Sequence, residues 1–474
     1  MYYTMRNVIL KHKQLFVFFL LLLTTQLSIA QQHDPSNKYY AKNDLVQDYN
    51  FMQAILTKCH PGLTRYTTAD SMHYWFNYYR TQIADSMTER QFRILLERPI
   101  EKIKCGHTAT LFNPSTTKYL VKHPYKLLPL DIVTNNQKLY VIKNNSTDST
   151  IKPLDEITSI NKHSAHDILL AMNSFITADG SITTGKENII NQNFARYYRG
   201  LVDSATIQII TINALKGSTI KHTVTCVVAK TNKTKNESEE TLTYLHDSIA
   251  IIDLNSFASF KQRKFLTTTF NQLANKHTPN LVLDLRNNGG GQVLTAIKLL
   301  SYLLPNNTVI EANRNNKIIP YYGYMKDKFG IILSAKFLNY TKHKTVDSIY
   351  YAYLPIKKAK NNNYTGKVFV LVNGGSFSAS VIVAAYLKRY NRATIIGQET
   401  GGTENGCNAF TMPMVQAPNT KIQLRLPLYQ VNNILPQTNY GRGVQPSYIV
   451  NENLTLLSTT HDACMQQVLN LLGK

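Results

Sequence analysis

The chain has 474 residues, 43% of them hydrophobic, which suits a globular protein of two or three domains. Its formal charge is +23, but Lys and Arg are scattered, often beside Asn, with no basic helix and no aromatic stacking module. This argues against a nucleic-acid partner and reads as composition bias. Five cysteines, odd in number and widely spaced, do not make a disulfide framework.

Residues 1–30 combine Arg6, Lys11 and Lys13 with an apolar run from Leu15 to Leu23, then Ser28 and Ala30, the small residues that a signal peptidase requires. The apolar run is short for a membrane span, so the expectation is a cleaved export signal and a periplasmic or extracellular protein; an uncleaved anchor is the other reading. No stable span is expected after cleavage. Residues 31–116 read as helical. Leu45, Met52, Ile55, Leu56 and Cys59 recur at helical spacing up to His60-Pro61, and a second run covers Met72 to Ile83. Thr88 and Gln91 make a capping box for a third helix. The region ends in KIKCGHTATLF. Cys105 and His107 lack a second Cys/His pair at zinc spacing, so no metal is expected.

From 117 to 245 the pattern turns to strands. Leu127–Val133 and Leu139–Ile142 flank a hairpin turn at Asn135-Asn136, and Ile157–Asn161 precedes a helix over Ala165–Phe175. Residues 231–240 read as a loop or linker. The remainder, 246–474, alternates strands and helices, which implies a layered α/β core. Ile249–Leu254 reads as a strand and Phe260–Ala274 as an amphipathic helix. Within 306–365, rich in Tyr and Asn, PYYGYM at 320–325 either lines a cleft or belongs to an ordinary insertion.

Two stretches of this last region carry chemistry. In NLVLDLRNNGGGQVLTAIKLLSYLLP (280–305) a buried strand passes through Gly289, Gly290 and Gly291 into a helix. In KVFVLVNGGSFSASVIVAAYLKRY (367–390) a second strand passes through Gly374 and Gly375, and Ser378 stands where the next helix begins. Free N–H groups and the positive end of a helix dipole would stabilise an oxyanion beside it. Ser376 and Ser380 could instead cap that helix. No phosphate-binding loop is present, and no cofactor is implied.

The order DLRNNGGG, NGGSFSAS, IGQETGG resembles the C-terminal processing peptidase and tricorn-core family of serine peptidases, loosely over most of the mature chain. The resemblance implies a helical N-terminal region, a degenerate PDZ-like module echoed in DEITSINKHSAHDIL, and a ClpP/crotonase-like layered α/β catalytic core. The module would either bind peptide ends or be structural. The resemblance also implies Ser378 as nucleophile, with an oxyanion hole formed by the Ala379 N–H and that of Gly290 or Gly291. The family's lysine position is Thr403 here, and Val381 replaces the acid that follows S-A-S. Both point to the histidine-based, tricorn-like branch, in which Gly106-His107-Thr108 matches the motif of the general base; Cys105 stands in place of a more usual acidic or polar residue. Glu399 and Glu404 are the candidates to orient His107. The late G-V-x-P-D motif survives as Gly443-Val444-Gln445-Pro446, with Ser447 for the acid. The implied function is hydrolysis of peptide or protein substrates through an acyl-enzyme. The alternative is a non-catalytic peptide-binding or envelope interaction protein on the same scaffold. A crotonase-type acyl-CoA activity fits less well, because export separates the chain from CoA.

Overall fold

The computed structural model describes residues 34–474 apart from 215–216, 229–239, 260, 316–322, 327, 329, 331, 334–341, 347–348, 436–438 and 451–461. The export signal at 1–30, nearly all of the linker at 231–240 and the first three residues of PYYGYM thus lie outside the described residues.

The apolar runs of the last region become a parallel sheet. Ile249–Asp253, Asn280–Asp284, Lys367–Val372, Thr394–Gly397 and Tyr448–Ile449 run side by side, with Thr241–Leu245 antiparallel at one edge. Strands covered on both faces need apolar residues at every position, which is why the runs do not alternate. Leu281, Leu283, Val368 and Val370 face the main core. Val282, Phe369 and Leu371 face a smaller cluster closed by Cys464 and Val468 of helix Ala463–Leu471. Because Asn280–Asp284 pairs directly with Lys367–Val372, both glycine turns leave the sheet at neighbouring carboxyl ends, where ligands of open α/β sheets gather. The described part of 306–365 supplies strands to a second, antiparallel sheet with Tyr429–Asn433 and Gly406–Ala409.

The N-terminal helices are Lys42–Cys59, Ala69–Arg80 and Glu89–Glu101. His60-Pro61 ends the first. The third opens on the expected capping box, with Gln91 N–H donating to Thr88 Oγ1 (3.2 Å) and Thr88 N–H to Gln91 Oε1 (2.9 Å). Their apolar faces join the same core as the sheet: Leu45, Tyr49, Phe92 and Leu96 pack with Leu424 and Leu426. Helix Pro114–Lys122 runs across position 116.

The β-rich module keeps a core of its own around Ile132, Val141, Ile157, Ile168 and Ile210. Its first hairpin turns at Asn136-Gln137, one residue later than the sequence suggests. Both residues are left-handed (φ 49° and 60°), as a right-twisting two-residue hairpin demands. The expected helix is Ala165–Asn173. A further helix, Thr184–Leu201, has no clear reading in the sequence, because its Asn- and Gly-bearing run is broken by a kink at Asn193 (φ −137°, ψ 20°).

Candidate active site

Ser378 occupies the N-cap of helix Ala379–Arg389 with φ 56° and ψ −117°, a backbone conformation that costs a non-glycine residue on the order of 1–3 kcal/mol. Its side chain makes no capping bond, although serine is a favoured cap. The hydroxyl is therefore left for another use. Val381 and Ile382 N–H donate to Ser378 O, and Ser380 N–H donates to Phe377 O. Among the described residues Ala379 N–H has no acceptor, so a free donor stands beside the hydroxyl at the positive end of the helix.

The glycine turn closes on this serine. A Cβ at Gly290 (φ +92°) would lie 2.7 Å from Ser378 Cβ and 2.8 Å from Ala379 N, so only glycine fits. Gly290 N–H is committed to Asn288 Oδ1 (2.9 Å), whereas Gly291 N–H has no acceptor among the described residues. Of the two expected oxyanion donors, Gly290 thus contributes close approach and Gly291 keeps a free N–H. Asparagines that the sequence reading did not single out knit the two turns together. Phe377 N–H and the Ser380 hydroxyl donate to Asn288 O (3.0 and 2.8 Å), Asn287 N–H donates to Asn373 Oδ1 (2.9 Å), and Ser376 Oγ donates to Leu285 O (2.7 Å). Ser376 and Ser380 therefore tie turn to turn rather than cap the helix. The NN and NG pairs flanking the glycines were the available signal.

His107 arrives from the far end of the chain. Ala109–Leu111 pairs antiparallel with Gln423–Arg425, and Arg425 reaches back so that Nε donates to His107 O (2.8 Å) and Nη2 to Gly106 O (3.3 Å). Thr110 N–H donates to Glu97 Oε2 (2.8 Å), fastening the strand to the third helix; burial raises the Glu97 carboxyl to about 7. On the other side Gly62 N–H donates to Nδ1 of His60 (3.2 Å). The His60 proton then sits on Nε2 and points at Thr108 Oγ1 (2.9 Å). The His107 ring stacks on Phe377, the residue before Ser378, with centroids 4.6 Å apart and planes at 30°. Burial, then the Arg425 charge, lowers its pKa to about 3, so the ring is neutral at pH 7. Among the described residues no hydrogen bond joins it to Ser378, and its Nδ1 is buried without a partner.

The candidate acids have other partners in the structure. Glu399 receives Arg442 Nη2 (2.5 Å) and Gly443 N–H (2.8 Å), closing the ETGG turn onto the Gly443-Val444 segment. Glu404, fully buried, binds Arg389 through both oxygens (2.8 and 2.5 Å) and accepts Asn439 N–H. Each carboxylate is balanced by an arginine and makes no bond to the imidazole. Thr403, at the family's lysine position, is buried, and its hydroxyl lies 3.0 Å from that of Tyr66.

Residues 248–450, which hold both glycine turns and the serine, match the model of peptidase family S41. A tail-specific protease of Haemophilus influenzae is 28% identical over 158 residues, which is 33% of this chain and 17% of that protein's length. Among solved structures, mature CPAF complexed with lactacystin has a TM-score of 0.64 at 14% identity, covering 91% of this chain and 97% of that one. A second structure of mature CPAF has a TM-score of 0.61, covering 88% and 95%. At such identity the likeness is one of fold, and it extends over the N-terminal helices and β-rich module as well as the S41 region. The mixed α/β architecture expected from the sequence is the one found.

Proposed function

We propose that the chain is an exported serine peptidase that cleaves peptide bonds through an acyl-enzyme on Ser378, with His107 as general base. The observation that carries this reading is the strained, uncapped Ser378 beside the unpartnered Ala379 N–H, with the His107 ring stacked on the adjoining Phe377. Ser378 Oγ attacks the scissile carbonyl while the neutral imidazole takes its proton. Ala379 N–H, with Gly291 N–H from the facing turn, receives the oxyanion; removing one such donor commonly costs about 3 kcal/mol. The imidazolium then protonates the leaving amine, and water, activated by the same ring, releases the acyl group.

The match of residues 248–450 to peptidase family S41 supports a peptide or protein substrate. Export is supported by the composition of residues 1–30, and among the described residues no helix is long and apolar enough to cross a membrane. Fluorophosphonate labelling tests the reading. Wild type is expected to be modified at Ser378 and to cleave an unstructured protein, whereas Ser378→Ala does neither while keeping its melting temperature. Labelling that survives Ser378→Ala, or a wild type that neither labels nor cleaves, overturns it; the latter result points to a binding protein. An intact-mass measurement showing that the mature protein retains residues 1–30 would refute the cleaved signal.

A further inference from the structure

With Glu399 and Glu404 engaged elsewhere, the imidazole still needs a group that keeps its proton on the correct nitrogen and favours its charged form. Asp179 stands closest to that role. It lies in the loop between helices Ala165–Asn173 and Thr184–Leu201, and it is 1% exposed. Its Oδ1 accepts the Gly106 N–H at 2.7 Å, so it holds the Cys105–Gly106 peptide unit at the start of the turn that carries His107. The segment is pinned on either side: Gly180 N–H donates to Lys104 O (3.0 Å) and Ser181 N–H to Gly441 O (2.8 Å). A Cβ on Gly106 would meet the Phe377 ring at 2.8 Å and Asp179 Oδ1 at 3.6 Å, so carboxylate, phenyl ring and histidine turn crowd around one point.

Two polar atoms of this cluster are buried with no hydrogen-bond partner, Asp179 Oδ2 and His107 Nδ1. A buried acceptor left unpaired is costly, and burial raises the Asp179 carboxyl to about 6, which still leaves it ionised at neutral pH. Among the described residues no ion pair relieves it. Arg65 is the cation that faces it, and Tyr66, Cys105 and Cys407 are the other titratable groups around it. On the histidine side the charged neighbour is Arg425, which disfavours the imidazolium. A carboxylate that is expensive to bury and bonded to the histidine turn fits a functional role better than a stabilising one.

We infer that Asp179 is the positioning carboxylate of His107: it fixes the Cys105–Gly106 peptide at the start of the histidine turn through Oδ1 and, through the charge on Oδ2, keeps the ring proton on Nδ1, leaving Nε2 to accept the serine proton. The inference rests on the hydrolase reading, but its test can be read without turnover. In a Ser378→Ala background with 15N-labelled histidine, the His107 ring at pH 7.5 is expected to show the Nδ1–H tautomer. Adding Asp179→Asn, which keeps an acceptor for Gly106 N–H but removes the charge, shifts it to a mixture. In the otherwise wild-type enzyme Asp179→Asn lowers kcat about 10- to 100-fold, leaves KM within about twofold and melts no lower at pH 8. Asp179→Ala loses the acceptor too, and is expected to lose both kcat and melting temperature.

An unchanged tautomer signature and unchanged kcat in Asp179→Asn overturn the inference. So does a loss of kcat accompanied by an equal fall in melting temperature, the mark of a structural residue. If the tautomer moves but wild type takes no label at Ser378, the hydrolase reading fails and the positioning role stands. If Ser378 labels and the tautomer does not move, only the positioning role falls.

Discussion

The serine turn and the histidine turn meet at Phe377, yet they are held in opposite ways. The serine turn is local. A buried strand, two glycines and a helix N-terminus follow one another in sequence, and its partner turn is delivered by the neighbouring parallel strand. The histidine turn has no such frame of its own. It is held by Arg425 from 318 residues away, by Asp179 from 73 and by Glu97 on the third helix. The nucleophile is thus built into the sheet, whereas the base is clamped on by side chains. A nucleophile turn of this kind should be damaged only by steric intrusion, and a clamped base should fail one contact at a time.

Gly290→Ala gives the largest expected effect. The new Cβ meets Phe377 O at 2.6 Å and Ser378 Cβ at 2.7 Å, at a φ unsuited to alanine. We expect kcat to fall by about 10³-fold or more, as both the serine position and the oxyanion donor are displaced. Wild-type steady-state kinetics in the variant would show that the two turns do not cooperate. Arg425→Ala removes two hydrogen bonds to the histidine turn and is expected to lower kcat about 10- to 100-fold, with Ser378 still labelled at a reduced rate. A loss as large as that of Gly290→Ala would erase the distinction between built-in and clamped parts.

Acid should release the clamp before the sheet. His60 and His107 both have folded pKa values of about 3, below the usual 6.5, because burial disfavours their charged forms. Their contribution is complete above about pH 6.5 and is lost as pH falls towards 3, since the unfolded chain binds the extra protons. Asp179, raised to about 6, acts in the opposite sense, becoming less costly as pH falls from about 6 to about 4. Melting temperature is therefore expected to decline below pH 6.5 in wild type, and less steeply in His60→Gln. Parallel curves for the two proteins would remove His60 as a cause. The smallest effect belongs to Glu399→Gln, which keeps an acceptor for Gly443 N–H and leaves Arg442, itself half exposed, able to turn to solvent. A change in kcat of less than about threefold is expected. A loss of 100-fold would restore Glu399 as the partner of the base.

Much of the fold was legible because it is periodic. Continuous apolar runs gave the parallel strands, helical spacing gave the N-terminal helices and those flanking the glycine turns, and Thr88 with Gln91 gave a cap that forms as expected. The helix Thr184–Leu201 escaped because neither its polar composition nor its kink carries a period. Within the site, Ser378 and the glycines could be read from their order along the chain, since turn geometry is imposed by residues a few positions apart. Asn288 and Asn373 are not legible in this role because an asparagine beside a glycine reads as turn chemistry, and only the pairing of the two strands shows that the Asn373 side chain and the Asn288 carbonyl bridge separate turns.

The acids mark the division most clearly. By itself the sequence determined where a nucleophile could stand, because a strand, a glycine turn and a helix N-terminus are fixed by local sterics and hydrogen bonding. Only the tertiary structure decided which carboxylate serves which cation or imidazole. Glu399 and Glu404 lie near the serine motif yet face Arg442 and Arg389, and Asp179, unremarkable in the sequence, closes on Gly106. The physical reason is that a buried charge takes whatever partner packing brings within about 3 Å, and separation along the chain says little about that distance.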